Sequence, residues 1–139
     1  MDRDLEKSQT FENLKKAFFE EVALISRYRY FSTIADYEGL TNHSNLFKEF
    51  ADGGQDNTHG CLDFLRTIHD PSSQIPIGNT SKNLESLLQT EIGQFSETYP
   101  EMAKIAREEG FPDVASWFDT LEKLKRIHVQ KLQRVQYGK

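Results

Sequence analysis

The 139-residue sequence contains one cysteine, Cys61, and no run of apolar residues long enough to span a bilayer. A single cysteine excludes a disulfide within the chain and any iron or zinc module with four cysteine ligands. A membrane-spanning helix would need about 20 consecutive apolar residues. There is also no excess of positive charge, because the net charge is −5. These absences predict no nucleic-acid partner and no membrane association.

The composition, with 37% hydrophobic and 28% charged residues, is typical of a folded globular protein. A chain of this length fits one domain with a sizeable core. The first residues, Met1-Asp2-Arg3-Asp4, do not resemble a signal peptide. We therefore expect a single domain over residues 1–139 in the cytoplasm.

Four segments have apolar residues at every third or fourth position, the period of an α-helix. They cover about residues 10–38, 44–69, 81–109 and the chain from 112 onward. Gly39 and Gly110 follow the first and third segments as stop signals, and Ser81 is the expected N-cap of the third. No alternating run predicts a strand. The sequence therefore predicts an all-α fold.

Residues 13–57 recur in outline about seventy positions further on. Two matches have an offset of 70 and three have an offset of 71: Asn13-Leu14 with Asn83-Leu84, Glu21 with Glu91, Glu38-Gly39 with Glu109-Gly110, Gly54 with Lys125, and Asn57 with His128. The offset grows by one residue between Glu91 and Gly110, where Pro100 is expected to kink the helix or force a bulge. A duplicated helical hairpin is therefore expected.

The short joints predict two antiparallel hairpins, and the longer stretch 70–79 can link them across a four-helix bundle. Each predicted helix also carries polar residues on its apolar face. This polar layer contains Glu21, Gly54, Asn57, Glu91, Gln94, Lys125 and His128. Buried carboxylates need a positive charge nearby, which either a metal ion or Lys125 and His128 can supply. Asp56 and His59 lie off this face and are expected on the surface.

The polar layer and its surroundings resemble the ferritin-like domain of rubrerythrins. The resemblance covers nearly the whole chain, and its most specific segments are Asn13–Phe18 leading to Glu21, Arg27-Tyr28, Tyr99-Pro100-Glu101 and Glu108–Phe111. It implies a ferritin-like four-helix bundle of two hairpins joined by a crossover. Rubrerythrins bind two irons and reduce hydrogen peroxide with electrons from a rubredoxin-type centre. This chain has no Cys-x-x-Cys pair, so an active member would need an external electron donor.

The resemblance carries over only part of the ligand set of that family. Glu21, Glu91 and His128 match ligand positions, whereas Gly54, Asn57, Gln94 and Lys125 replace the other four ligands. Lys125 then stands in for metal charge between Glu21 and Glu91, and Tyr28 is a candidate hydrogen-bond donor to a carboxylate there. This pattern predicts a degenerate site without metal, in a non-catalytic scaffold or binding protein.

Two alternatives keep a metal. Glu21, Glu91 and His128 form a two-carboxylate, one-histidine set that suits a single non-haem iron, in a peroxide-reducing oxidoreductase. A helix bulge at the tandem glycines, Gly53-Gly54, could instead turn Asp56 and His59 inward to rebuild a dinuclear site. The first predicted helix has more apolar residues than one face can bury, and Phe19 and Tyr30 are candidates for an interface. The family commonly dimerises. We therefore expect a homodimer.

Overall fold

The computed structural model describes residues 4–136, so the segment Met1–Arg3 considered above lies outside it. The described chain is helical and contains no strand, which confirms the all-α prediction. A 3₁₀ turn, Leu5–Lys7, precedes the first helix. The α-helices, in chain order, are α1 (Gln9–Tyr37), α2 (Thr41–Leu65), α3 (Thr80–Gly93), α4 (Tyr99–Glu108) and α5 (Pro112–Gln136). None of them is both long and apolar enough to cross a membrane.

The chain divides into two compact units, with the boundary between Pro71 and Ser72. In the first, α1 packs against α2, and we call it the N-terminal hairpin. In the second, α3 and α4 pack against α5, and we call it the C-terminal hairpin. The two predicted hairpins are therefore present. The expectation that residues 1–139 form a single domain stays a prediction.

Side-chain caps set the starts of α1 and α3. The backbone N–H of Phe11 donates to Ser8 Oγ at 3.1 Å, and that of Lys82 donates to Asn79 Oδ1 at 3.0 Å. The prediction that Ser81 caps the third helix was wrong, because Asn79 takes that role. Asn83 fixes the backbone just before the helix: its Oδ1 accepts from the N–H of Gly78 and its Nδ2 donates to the carbonyl of Gly78, each at 3.0 Å. The helix therefore begins earlier than its apolar periodicity indicated.

The segment Gln94–Thr98 between α3 and α4 is a π-helix. A π-turn accommodates one extra residue relative to an α-helix. Its position confirms the bulge predicted from the shift in repeat offset. Pro100 follows immediately in the first turn of α4, where its missing N–H is tolerated. The bulge therefore lets the chain stay helical from α3 through α4 despite the inserted residue and the proline.

Small residues form the contact between α1 and α2. The buried positions of α2 recur at helical spacing: Ser44, Ala51, Gly54, Thr58 and Leu65. Ser32 and Ala35 are buried on α1. Phe50 and Phe64 on α2 are 47% and 66% exposed and lie at the edge of this contact, where the ring of Phe50 packs against Tyr28 of α1. Short side chains let the two backbones approach closely, and at Gly54 the approach leaves little room for a side chain.

Candidate functional site

The side chains of Lys125 and His128 converge on Glu91 in the C-terminal hairpin. Lys125 Nζ lies 3.1 Å from Glu91 Oε1, and His128 Nδ1 lies 2.8 Å from the same oxygen. Lys125 and His128 are three residues apart on α5, so both project from one face of the helix. The side chain of Glu91 is only 14% exposed, against 25% for Lys125. One carboxylate oxygen therefore receives both donors, and the Lys125 side of this contact is more buried than the His128 side, where the side chain is 53% exposed.

The electrostatics of Glu91 follow from this geometry. Partial burial raises the pKa of Glu91, since it disfavours the charged carboxylate. The hydrogen bonds donated by His128 and Lys125, together with the positive charge of Lys125, lower this pKa and outweigh the effect of burial. The net pKa of Glu91 is below its ordinary value, so the carboxylate is ionised at neutral pH. The pair Lys125–Glu91 therefore exists as an ion pair.

Gln94 lies at the start of the π-helical segment, one turn after Glu91. Its Oε1 is buried and accepts no hydrogen bond from the described residues. An amide oxygen without a donor is a costly group in a protein interior. An amide is also a weaker metal ligand than the carboxylate found there in rubrerythrins. Gln94 therefore retains the polarity of this position without its charge.

The predicted polar residues of the N-terminal hairpin line a cavity of about 600 Å³. Its walls are formed by Glu21, Leu24, Ile25, Tyr28, Glu49, Phe50, Gly53, Gly54 and Asn57. The ring of Tyr28 packs against Phe47 and Phe50, with centroids 6.1 and 5.7 Å away. Glu21 is half-buried and Asn57 is exposed at the cavity wall. Asp56 and His59 are exposed and do not line the cavity, in agreement with the surface position expected for them.

Gly54 packs tightly against α1. A β-carbon built at this residue would lie 2.8 Å from Ile25 Cγ1 and 3.4 Å from Ile25 Cδ1. Ordinary carbon contacts are about 3.5–4.0 Å long, so no side chain fits at position 54 unless Ile25 moves. Gly54 is buried in the contact between α1 and α2. The family's carboxylate ligand is therefore missing here, and the space for it is filled as well.

The structure brings the predicted residues together in two sets, each within its own hairpin. Glu91, Lys125 and His128 are in direct contact, and Glu21, Tyr28, Gly54 and Asn57 border one cavity. Sequence reasoning missed Glu49 as a cavity residue and treated Ile25 only as an apolar residue on the same face as Glu21. Their signal was helical spacing, because Glu49 precedes Asn57 by eight residues and Ile25 follows Glu21 by four.

These residues do not fit a two-iron centre. Two irons need several carboxylates to balance and bridge their charge. Position 54 has no side chain and no room for one, and Lys125 holds the carboxylate of Glu91. Within either hairpin of the described chain, no three histidine, cysteine, aspartate or glutamate side chains lie close enough to hold a metal ion. The predictions of a metal at Glu21, Glu91 and His128, or of none, remain untested.

The duplicated helical hairpins and their polar residues define a protein of the ferritin-like, all-α class. Residues 12–136 match the Rubrerythrin family model, and the chain therefore belongs to the rubrerythrin family. It is 30% identical to rubrerythrin of Clostridium perfringens, over 96% of this chain and 72% of that protein. It is 31% identical to rubrerythrin-1 of Clostridium acetobutylicum, over 93% and 70% of the two chains. Rubrerythrin of Nitratidesulfovibrio vulgaris is 29% identical, over 93% and 70%. The resemblance inferred from the sequence is confirmed.

Proposed function

We propose that this chain is a rubrerythrin-family protein that has lost the two-iron peroxidase site and acts in the cytoplasm as a non-catalytic scaffold or binding protein. The observation that carries the proposal is the ion pair between Lys125 and Glu91, with Nζ and Oε1 3.1 Å apart. Lys125 occupies the position of a metal-ligating glutamate in the family. Its ammonium group supplies positive charge where the family has metal ions.

Energetics favour this substitution. A largely buried carboxylate is expensive without a compensating charge, and Lys125 and His128 both donate to Glu91. A metal ion at Glu91 would have to displace the ammonium group and would leave Lys125 as an unpaired cation beside it. For Glu21, which pairs with no cation among the described residues, the proposed neutralisation by Lys125 is supported by sequence position alone.

The proposal is tested by metal analysis and a peroxide assay. The protein is expressed with added iron, reconstituted with ferrous iron without oxygen, and analysed for metal per chain. A rubrerythrin that has all seven ligands serves as the positive control. We expect no stoichiometric metal and no peroxide reduction with an external electron donor.

Two irons per chain would overturn the proposal. One iron per chain, lost with Glu91→Gln or His128→Ala but kept with His59→Ala, would support a non-haem iron oxidoreductase with a reduced site. His59→Ala is a suitable control because His59 is exposed and lies off the cavity.

We also propose that the protein is a homodimer. Phe19 and Tyr30 on α1 are 47% and 65% exposed. Three more large apolar residues of α1, Val22, Phe31 and Ile34, are also more than 40% exposed, and a set of exposed apolar residues of this kind is typical of a protein interface. Light scattering coupled to size exclusion measures the mass directly. We expect a dimer that dissociates more readily in a Phe19→Ser, Tyr30→Ser variant, and a monomeric wild-type protein would contradict this proposal.

A further inference from the structure

We propose that Ile25 is the residue that keeps position 54 closed to a metal ligand, so that reversing the glycine alone cannot restore the site. This inference rests on the proposed loss of the metal site and names the residue that maintains it. Ile25 lies on α1 one turn after Glu21, on the same face of the helix. It borders the cavity that also contains Glu21 and Asn57.

The obstruction comes from the inner part of the Ile25 side chain. The atom nearest to a β-carbon at position 54 is Ile25 Cγ1, at 2.8 Å, and the terminal Cδ1 is 3.4 Å away. A flexible terminal atom could move aside at little cost. Cγ1 moves only if the χ1 angle changes, and β-branched residues in a helix strongly prefer one χ1 rotamer. Ile25 therefore resists the movement that a side chain at position 54 would require.

The preceding glycine provides a control within the same turn of helix. A β-carbon at Gly53 would meet no atom within 4 Å, and Gly53 is exposed. The two adjacent glycines have the same intrinsic effect on the helix and differ in what faces them. A difference between alanine substitutions at positions 53 and 54 therefore reports the contact with Ile25.

Gly54 is the family position of a carboxylate in a Glu-x-x-His pair, and Asn57 stands where the histidine would be. Restoring both residues would place a carboxylate and an imidazole three residues apart on α2, beside Glu21. Such a set suits a divalent transition metal ion. The geometry predicts that this ion binds only when the side chain at position 25 is shortened to alanine, because valine keeps a carbon at each γ position.

The first experiment compares melting temperatures of metal-free protein. Gly53→Ala should raise the melting temperature, since alanine favours a helix over glycine, whereas Gly54→Ala should lower it by about 4 °C or more. In an Ile25→Ala background, Gly54→Ala should become neutral or stabilising, and in an Ile25→Val background it should remain destabilising. Equal effects of Gly53→Ala and Gly54→Ala in the wild-type background would overturn the inference. The comparison involves no metal, so its outcome is independent of the iron analysis above.

The second experiment measures cobalt binding, by visible absorption, to the Gly54→Glu, Asn57→His chain with isoleucine, valine or alanine at position 25. We expect a cobalt spectrum with alanine only. An equal response in the isoleucine and alanine backgrounds would overturn the inference.

Discussion

The two hairpins are alike at their turns and differ at their polar layers. In each, a tyrosine of the first helix packs on a phenylalanine of the second: Tyr28 on Phe47, and Tyr99 on Phe118. Each turn also has a charged pair at matching positions, with the signs exchanged: Asp36 with Lys48, and Arg107 with Asp119. Every one of these matches has an offset of 71 residues. The duplicated unit therefore kept its packing at the turn.

Each hairpin also has a small apolar cavity near its turn, and the two cavities are lined by corresponding residues. The N-terminal cavity, of about 240 Å³, is lined by Phe31, Ile34, Ala35, Glu38, Leu40, His43 and Phe47. The C-terminal cavity, of about 420 Å³, is lined by Met102, Ile105, Ala106, Glu109, Phe111, Val114 and Phe118. All seven positions correspond at an offset of 71. Four of the seven pairs are identical, and the other three keep the same place in the cavity although the residue type differs, which supports the duplication.

The polar layers have diverged in opposite ways. Glu91 is held by Lys125 and His128, whereas Glu21 pairs with no cation among the described residues and faces Gly54 and Asn57 across a cavity. In one hairpin a lysine pairs with the glutamate, and in the other the glutamate lies beside a glycine that packs against Ile25. The proposed loss of the metal accounts for this difference, because it removes the constraint on ligand positions and leaves the requirement for stable packing at the turn.

Removing the extra residue of the π-helical segment is expected to have the largest effect on this comparison. Deletion of Ser96 would rotate everything after it by about 100° relative to Glu91, since one α-helical turn holds about 3.6 residues. Either the contact of Glu91 with Lys125 or the packing of Tyr99 on Phe118 would be lost. We expect the free energy of unfolding to fall by roughly 3 kcal/mol or more.

Urea denaturation measures that change. Ser96→Ala is the matched control, because it keeps the residue count and removes only a hydroxyl that donates to the backbone of Ile92. A deletion no more harmful than Ser96→Ala would mean that the bulge is not needed to reconcile the two ends of the hairpin.

Neutralising Lys125 is the next largest change. Lys125→Met keeps most of the side-chain length but leaves Glu91 with His128 as its only donor, and the unfolding free energy should fall by about 1–2 kcal/mol. Lys123→Met, an exposed lysine on the same helix, should cost less than about 0.5 kcal/mol. Equal losses in the two variants would show that Lys125 does not stabilise Glu91.

The pH dependence of stability tests the same carboxylate. Because the pKa of Glu91 is lower in the folded state than its ordinary value of 4.5, ionised Glu91 stabilises the fold above that pH. This stabilisation is lost as the pH falls through the folded-state pKa. The difference in unfolding free energy between wild type and Glu91→Gln should therefore be largest at neutral pH and shrink in acid. For Glu85→Gln, an exposed position on α3, the difference should stay small throughout.

The all-α fold could be predicted from the sequence, whereas the details of close packing could not. Spacing of three residues was enough to place Lys125 and His128 on one face, and the offset change placed an inserted residue between Glu91 and Gly110, where the π-helix Gln94–Thr98 lies. The contact between α1 and α2 was not predictable in the same way. Phe50 and Phe64 stay 47% and 66% exposed, whereas the buried residues of α2 include Ser44, Ala51 and Gly54, which hydrophobicity does not mark. The obstruction of position 54 by Ile25 depends on the distance between the backbones of α1 and α2, which no local sequence pattern encodes.

The two turn glycines should respond equally if the turns are truly equivalent. Gly39 and Gly110 have φ angles of 76° and 86°, a region that costs other residues about 1–2 kcal/mol. Gly39→Ala and Gly110→Ala should each lower the unfolding free energy by about 1 kcal/mol in urea denaturation. Gly60→Ala, at an exposed helical position with nothing within 4 Å, should instead stabilise the protein. A large difference between the first two variants would break the equivalence.

Exchanging the charged pair of the C-terminal turn should have the smallest effect. Arg107→Asp alone places two carboxylates together and should cost about 0.5 kcal/mol in urea denaturation, since both side chains are at least a third exposed. Adding Asp119→Lys recreates the charge order of Asp36 and Lys48 and should recover most of that loss. Recovery should be incomplete, because Arg107 lies in the last turn of α4, where a positive charge favours the helix dipole. If the double variant were no more stable than Arg107→Asp, the exchanged signs would not be interchangeable, and the two turns would be equivalent in packing but not in electrostatics.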